Sequence, residues 1–240
     1  MVRAKNHLKL LMRVLWDFIR GMYVFHFLGP CVTVFGSARL ANDTPEYEMA
    51  RAMGMALGQN GFTVMTGGGP GLMEAANRGA REAGGHCVAC RIRLSFEQGR
   101  NNYVDRSVTF RYFFVRKVML VSHSCALIVL PGGLGTLDEL FEVLTLIQTK
   151  KIPSLPIVFV GKQYWQPLLA VIEQMAVAGT ISTAEIKRVM DLMLITDEVA
   201  EAIAHVKANS AELGRTGPLK GVGREIPPKP YSKSANVTHS

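Results

Sequence analysis

The sequence predicts an α/β protein: a Rossmann-like parallel sheet with helices on both faces, forming a single domain preceded by an N-terminal helix. Two observations carry this. Short apolar, β-rich runs alternate with helical stretches several turns long. Two glycine-rich turns, Thr66-Gly67-Gly68-Gly69-Pro70-Gly71 and Pro131-Gly132-Gly133-Leu134-Gly135-Thr136, each close a strand-like run and open a helical one. The chain has 240 residues, 48% hydrophobic and 19% charged, enough to bury a sizeable core.

The elements follow in order. Lys5 to Met22 reads as an amphipathic helix, with Leu8, Leu11, Leu15, Phe18 and Met22 on one stripe and Arg3, Lys5, Lys9, Arg13 and Arg20 mostly off it. The stripe is expected to pack on the main domain or on a second subunit, with a membrane surface as the alternative. Cys31 to Gly36 is a buried strand. Thr44 caps a helix with Pro45 at its first position, which runs to about Gln59 and stops at Asn60-Gly61. Strand Phe62–Met65, helix Leu72 to about Ala83 and strand His86–Ile92 come next. A polar loop, Ser95 to Asp105, leads to a β-like run (Ser107–Phe110) and a helix carrying Arg116 and Lys117, read as largely buried. Then follow strand Ala126–Leu130, helix Leu137 to about Thr149, strand Pro156–Val160 and helix Tyr164–Ala178. A capping box, Ser182 with Glu185, opens a short helix, and an edge strand (Leu192–Ile195) and a last helix (Glu198–Asn209) complete the set. The expected division is 1–29 for the N-terminal helix and linker, 30–210 for the nucleotide-binding domain, and 211–240 for a basic, disordered tail.

Four scattered cysteines make no disulfide framework, and Cys87-Val88-Ala89-Cys90 lies inside a strand-like run where a metal or redox pair would need a turn. Gly21 to Ala38 lacks Asp, Glu, Lys and Arg, but His26, Gly29-Pro30 and the β-rich Cys31–Phe35 break it into loop and strand. No cleavable leader pattern is present. A cytoplasmic location and no membrane partner are therefore expected. The formal charge of +8 suits an anionic ligand, although a solvated basic surface explains it equally. Without zinc-finger spacing or an RNA-binding aromatic signature, nucleic acid is not an expected partner. No cofactor or metal is expected.

In an open parallel sheet, ligands bind beyond the carboxyl ends of the strands. Both glycine turns fall there, and each offers free N–H groups and the positive end of a helix to a phosphate. Gly36, Ser37, Gly68, Gly69 and Gly71 are candidate phosphate or base contacts, and Thr136 adds a hydroxyl. Neither turn has the Gly-Lys-Ser/Thr ending of a Walker loop or the full dinucleotide fingerprint. Glu139 has two readings: the N3 partner of Thr136 in a capping box, or a carboxylate one helical turn from a bound phosphate. Arg116 also has two: paired with a structural carboxylate, or with a substrate phosphate.

Four segments, Gly36-Ser37-Ala38-Arg39, Gly67 to Ala76, Arg116-Lys117 and Pro131 to Glu139, together resemble the Lonely Guy family. Its members are cytokinin riboside 5′-monophosphate phosphoribohydrolases, many once labelled lysine decarboxylases. The resemblance runs from about Val32 to Lys207. It implies a homodimer, or a larger homo-oligomer, that hydrolyses an adenine-type nucleoside 5′-monophosphate to free base and ribose 5-phosphate. It implies Arg116 and Glu139 as the catalytic pair. It also implies substrate contacts from Lys117, Gly132, Gly133, Leu134, Gly135, Thr136, Leu137, Asp138 and Thr145, and from Glu97 with a one-residue shift. Ser124-Cys125-Ala126 stands where the family often has Ser-Asp-Ala. A decarboxylase would need a Schiff-base lysine, for which Lys117 is the sole candidate. The competing class is a non-catalytic nucleotide or cofactor carrier on the same fold.

Overall fold

The computed structural model describes residues 2–40, 42–94 and 101–210, with side chains from residue 6 onward. Glu97 and the tail 211–240 lie outside the described residues. The elements in chain order are α1 (Val2–Val24), β1 (Cys31–Phe35), α2 (Pro45–Gln59), β2 (Thr63–Thr66), α3 (Leu72–Glu82), β3 (Cys87–Ile92), β4 (Arg106–Phe110), α4 (Phe113–Ser122), β5 (Ala126–Val129), α5 (Leu134–Gln148), β6 (Ile157–Val160), α6 (Lys162–Val177), α7 (Thr183–Met190), β7 (Met193–Thr196) and α8 (Val199–Ser210).

The strands form one sheet in the order β4-β3-β2-β1-β5-β6-β7, and every pairing is parallel. Successive side chains along a strand point to opposite faces, so each apolar strand feeds two cores. On β5, Leu127 and Val129 join the core beneath α4, α5 and α6, while Ala126 and Ile128 join the one beneath α2, α3 and α8. The sheet is buried on both faces, which is why its strands read as continuous apolar runs rather than alternating ones.

Local chemistry sets the helix boundaries where the sequence signals them. The Thr44 hydroxyl accepts from Tyr47 N (3.3 Å), with Pro45 at the first helical position. The capping box of Ser182 and Glu185 is formed in both directions. Helices α2 and α3 pack backbone to backbone because glycines stand at the crossing. A Cβ on Gly54 would lie 1.9 Å from Ala76 O, and one on Gly79 would lie 1.8 Å from Arg51 O.

Three expectations need correction. Helix α5 begins at Leu134, not Leu137, because Thr136 N and Leu137 N already bond to Gly133 O (2.9 and 3.1 Å). Thr136 therefore sits inside the first turn and is not its cap. Helix α4 is only half buried: Val115, Met119, Leu120 and Val121 face the core, while Phe113, Phe114 and Val118 are exposed. On α1 the stripe does not pack as a unit. Phe18 and Val14 reach the core, but Leu8, Leu11, Leu15 and Met22 are exposed. Asp17, 1% exposed, holds the helix down instead, accepting from Arg111 N (2.9 Å) and Arg111 Nη1 (2.7 Å).

Gly54→Ala is expected to force α2 and α3 apart and to destabilise the fold by roughly 1–3 kcal/mol, read from urea unfolding. Ala at Gly61, an exposed turn with nothing within 4 Å of a Cβ but φ +77°, is the comparison that isolates backbone strain from overpacking.

Candidate functional site

The chain runs from β1 outward through β2, β3 and β4, then returns past β1 to β5 and continues the other way. The neighbours β1 and β5 therefore flank a topological switch point, the place where a ligand is expected in an open parallel sheet. Three loops meet there. Ser37 N, just after β1, donates to Pro131 O just after β5 (2.9 Å). Leu72 N, at the start of α3, donates to Ser37 O (2.9 Å). The loop after β2 is anchored by buried Thr66, whose Oγ1 accepts from Gly68 N (3.0 Å) and donates to Asn77 Oδ1 (2.7 Å).

The glycines of these loops divide by physical role. Gly71 has φ +67°, and a Cβ there would stand 2.6 Å from Ser37 O. Gly36 is hemmed in by Leu72 and Leu130, Gly68 (φ +71°) by Ala89 and Arg91, and Gly69 by Met73. Close packing accounts for these four. Gly132 must also lack a side chain, since a Cβ would lie 2.1 Å from Thr136 Oγ1. Gly133 and Gly135 are different: nothing lies within 4 Å of a Cβ on either, and their φ is not positive. They leave the N-terminus of α5 open. The first-turn N–H groups of Leu134 and Gly135 have no acceptor within the helix, so they and the helix dipole face solvent, an arrangement suited to an anion.

Beside this opening lies a buried ion pair. Arg116 Nη1 donates to Glu139 Oε1 at 2.7 Å, with side-chain exposures of 13% and 6%. Arg116 Nε donates to Cys90 O (2.8 Å) within β3. The guanidinium lies against Gly67, where a Cβ would come 2.6 Å from Nη2. No hydrogen bond from Nη2 is found among the described residues. Glu139 is thus a pairing carboxylate and not an N3 cap, which removes the first of its two readings. Burial pushes its carboxyl above the ordinary range, and the nearby Arg116 and then Lys117 hold the rise in check. The pair joins two consecutive crossovers, α4 and α5, either side of β5.

Lys117 faces elsewhere. Its Nζ bonds to Asp138 Oδ1 (2.8 Å) and Glu142 Oε2 (2.7 Å) on α5. Burial disfavours its charge, but these two hydrogen bonds outweigh burial and raise its pKa, so the amine stays protonated. That is the opposite of what a Schiff-base lysine requires. Asp138 and Thr145 line an open groove on the outer side of α5, about 580 Å³, together with Leu134, Leu137, Phe141 and Glu142. Thr145 Oγ1 donates back to Phe141 O (2.7 Å). Neither Arg116 nor Glu139 lines this groove. The structure therefore gathers Arg116, Glu139, Gly67 and the Gly132–Thr136 turn, and sets Lys117, Asp138, Leu137 and Thr145 around the helix from them.

Sequence reasoning missed three neighbours. Met73 covers Gly67 and Gly69, Arg91 lies over Gly68, and Tyr164 Oη donates to Gly132 O at 2.7 Å. Arg91 enters no ion pair among the described residues. The strand pattern hid it, because a charge at the last turn of a strand looks like a surface residue. Cys87 and Cys90 fall on opposite faces of β3, in different cores. Burial pushes the Cys87 thiol up to about 12 and raises that of Cys90 as well. Among the described residues no group of three His, Cys, Asp or Glu side chains could hold a metal ion, and no helix is long and apolar enough to cross a membrane.

The fold and site define a Rossmann-like α/β protein with an anion-suited helix terminus and a buried Arg–Glu pair at its switch point. Residues 73–206 match the family described as "Possible lysine decarboxylase". A cytokinin riboside 5′-monophosphate phosphoribohydrolase of Rhodococcoides fascians is 31% identical over 182 residues, covering 74% of this chain and 89% of that protein. One from Mycobacterium marinum is 28% identical, covering 65% and 82%. The chain belongs to this family, the Lonely Guy family. Among solved structures, the Moco carrier protein of Chlamydomonas reinhardtii shares the fold at TM-score 0.54 and 24% identity, covering 77% of this chain and 99% of that one.

The ion pair sets a stability prediction. A carboxyl whose native pKa is raised stabilises the fold below its unfolded pKa, and that contribution is lost as pH rises through the native value. Arg116→Leu removes the main charge restraining Glu139, so the native pKa climbs and the loss grows. Urea unfolding of this variant should show roughly 3–5 kcal/mol lost near neutrality, recovering as pH falls toward the ordinary carboxylate range. The double variant Arg116→Leu/Glu139→Leu should regain most of it. A loss independent of pH contradicts this account.

Proposed function

We propose that this chain hydrolyses the N-glycosidic bond of a purine nucleoside 5′-monophosphate, with adenine or N6-substituted adenine as base, to release the base and ribose 5-phosphate. The observation that carries the reading is the buried Arg116–Glu139 pair beside the open N-terminus of α5. The relatives' names point the same way.

The chemistry suits the groups present. The 5′-phosphate seats on the Leu134 and Gly135 amides, where the helix dipole favours it. Gly132, Gly133 and Thr136 shape that seat, with Gly36, Ser37, Gly68, Gly69 and Gly71 bounding the adjoining loops. This fixes the ribose against Glu139. As the bond from C1′ to the base nitrogen breaks, its electron pair leaves with the base and positive charge builds on the ribose. A carboxylate in a low-dielectric setting stabilises that charge strongly. Water then adds at C1′ and gives up a proton to Glu139, and that proton passes on to the base nitrogen, releasing neutral base and restoring the carboxylate. The raised pKa of Glu139 makes it the better acceptor for that proton. Arg116 favours the ionised form of Glu139 against the effect of burial, and its Nη2 group faces the Gly67 loop, where it can polarise the departing base. Glu97, Lys117, Leu137, Asp138 and Thr145 are assigned substrate contacts by the family resemblance alone.

Purified protein incubated with AMP and with an N6-prenylated AMP should release free base from at least one of them. Glu139→Gln should lower turnover by about 10²–10³-fold or more while thermal unfolding stays cooperative. The acid limb of kcat/KM should lie above the ordinary carboxylate range, because Glu139 must be ionised and its pKa is raised. Tight nucleotide binding with no base released would favour the carrier reading instead.

We further propose a cytoplasmic homodimer. The apolar groove on α5, with Leu134 86% exposed and Phe113 and Phe114 exposed on α4, supports a second protomer there. Phe141→Glu should shift the sedimentation coefficient to that of a monomer.

A further inference from the structure

Helix α1 shows an exposed arc that the proposed hydrolase does not use. Its rotation about its own axis is set by the domain. Asp17 is buried against Arg111, a Cβ on Gly21 would lie 2.8 Å from Met119 Sδ, and Phe25 is buried. With that side pinned, Leu8, Leu11, Leu15, Trp16, Ile19 and Tyr23 are all turned to solvent, Trp16 at 59% and Tyr23 at 84% exposure. Spaced three, four and seven apart, they form a continuous apolar arc along the helix.

The charges sit at one border of that arc. At 100° per residue, Lys9, Arg13 and Arg20 fall on a single row between the apolar arc and the docked side. Trp16 and Tyr23, seven residues apart, lie along the same border. Asp17 is the only acidic residue of the helix, and it is buried. None of the three cations enters an ion pair among the described residues. An apolar arc, a neighbouring basic row and amphipathic aromatics between them match the layering of a membrane surface: acyl chains, headgroups, and the zone where Trp and Tyr reside.

We infer that α1 docks this protein on an anionic lipid bilayer, lying in the plane of the surface with Leu11, Leu15 and Ile19 among the acyl chains and Lys9, Arg13 and Arg20 among the headgroups. This departs from the expectation of no membrane partner. Local charge decides against a second copy of the chain as the occupant of this face. Two such helices paired antiparallel about a two-fold axis bring like basic rows together. An anionic bilayer supplies the missing countercharge. The dock is a surface attachment only, since no helix among the described residues is long and apolar enough to span.

The test is co-sedimentation of the full chain with phosphatidylcholine vesicles, with and without phosphatidylserine. Binding is expected with the anionic vesicles and is expected to weaken as salt rises. Each Lys or Arg at such a surface contributes about five-fold in partitioning, so Lys9→Gln/Arg13→Gln/Arg20→Gln should lose on the order of a hundredfold. Leu15→Glu/Ile19→Glu should abolish binding. These five side chains are exposed, and circular dichroism with a thermal melt confirms that the variants remain folded. The proposal is overturned if the chain fails to sediment with either vesicle. It is also overturned if the Leu15→Glu/Ile19→Glu variant binds as well as the parent, or if that change instead dissociates an oligomer in lipid-free buffer. Base release plays no part in the readout, so the outcome is separate from that of the hydrolase assay.

Discussion

Most of the local architecture around the switch point depends on one contact: a guanidinium and a carboxylate, both nearly out of water, 2.7 Å apart. Taking such a pair out of water is costly, and further hydrogen bonds and room for the side chains offset that cost. The carbonyl of Cys90 takes up Arg116 Nε, and Gly67 leaves space for the rest of the guanidinium. Strand β3 at Cys90, the loop after β2 and the first turns of α5 are thereby all referred to one side chain of α4. The residue types at those positions follow from that geometry. A side chain at position 67 collides with the arginine, and one at 132 collides with Thr136.

Much of the fold was legible because each strand is buried on both sides and each helix on one. Runs such as Ala126–Val129 have no alternation to confuse with a surface strand, and caps such as Thr44 and Ser182 act locally through their own hydroxyls. Strand order was not legible, since nothing local says that the chain returns past β1 after β4. The start of α5 was misplaced for a similar reason. Glycines at 133 and 135 look like loop, yet two backbone hydrogen bonds to Gly133 O are enough to begin the helix there.

The site was legible in part. Arg116 stood out because a charge among apolar neighbours needs a partner, and Glu139 because it follows the glycine turn by one helical turn; their pairing was implied only by the family resemblance, and coordinates place the carboxylate against the guanidinium. The packing of the four glycines read as ligand contacts was not legible: Gly71 meets backbone, while Gly36, Gly68 and Gly69 meet side chains; Gly133 and Gly135 are the two with open space around them. Arg91 and Tyr164 gave no signal, because their proximity to the switch point comes from the order of strands. The N-terminal stripe does not pack on its own domain, because helical spacing identifies an arc but not which arc the domain covers. A single buried aspartate, Asp17, makes that choice.

The helix bearing the guanidinium, the following strand and the helix bearing the carboxylate form one uninterrupted stretch, Phe113–Gln148. Both partners of the pair and the glycine bend between them are local in sequence, so this unit assembles with little loop-closure entropy. The loops that border the pair from the other side arrive from distant segments after β1, β2 and β3. On the proposed hydrolase reading, drift in those outlying loops can change what is accepted while the 113–148 unit is inherited intact.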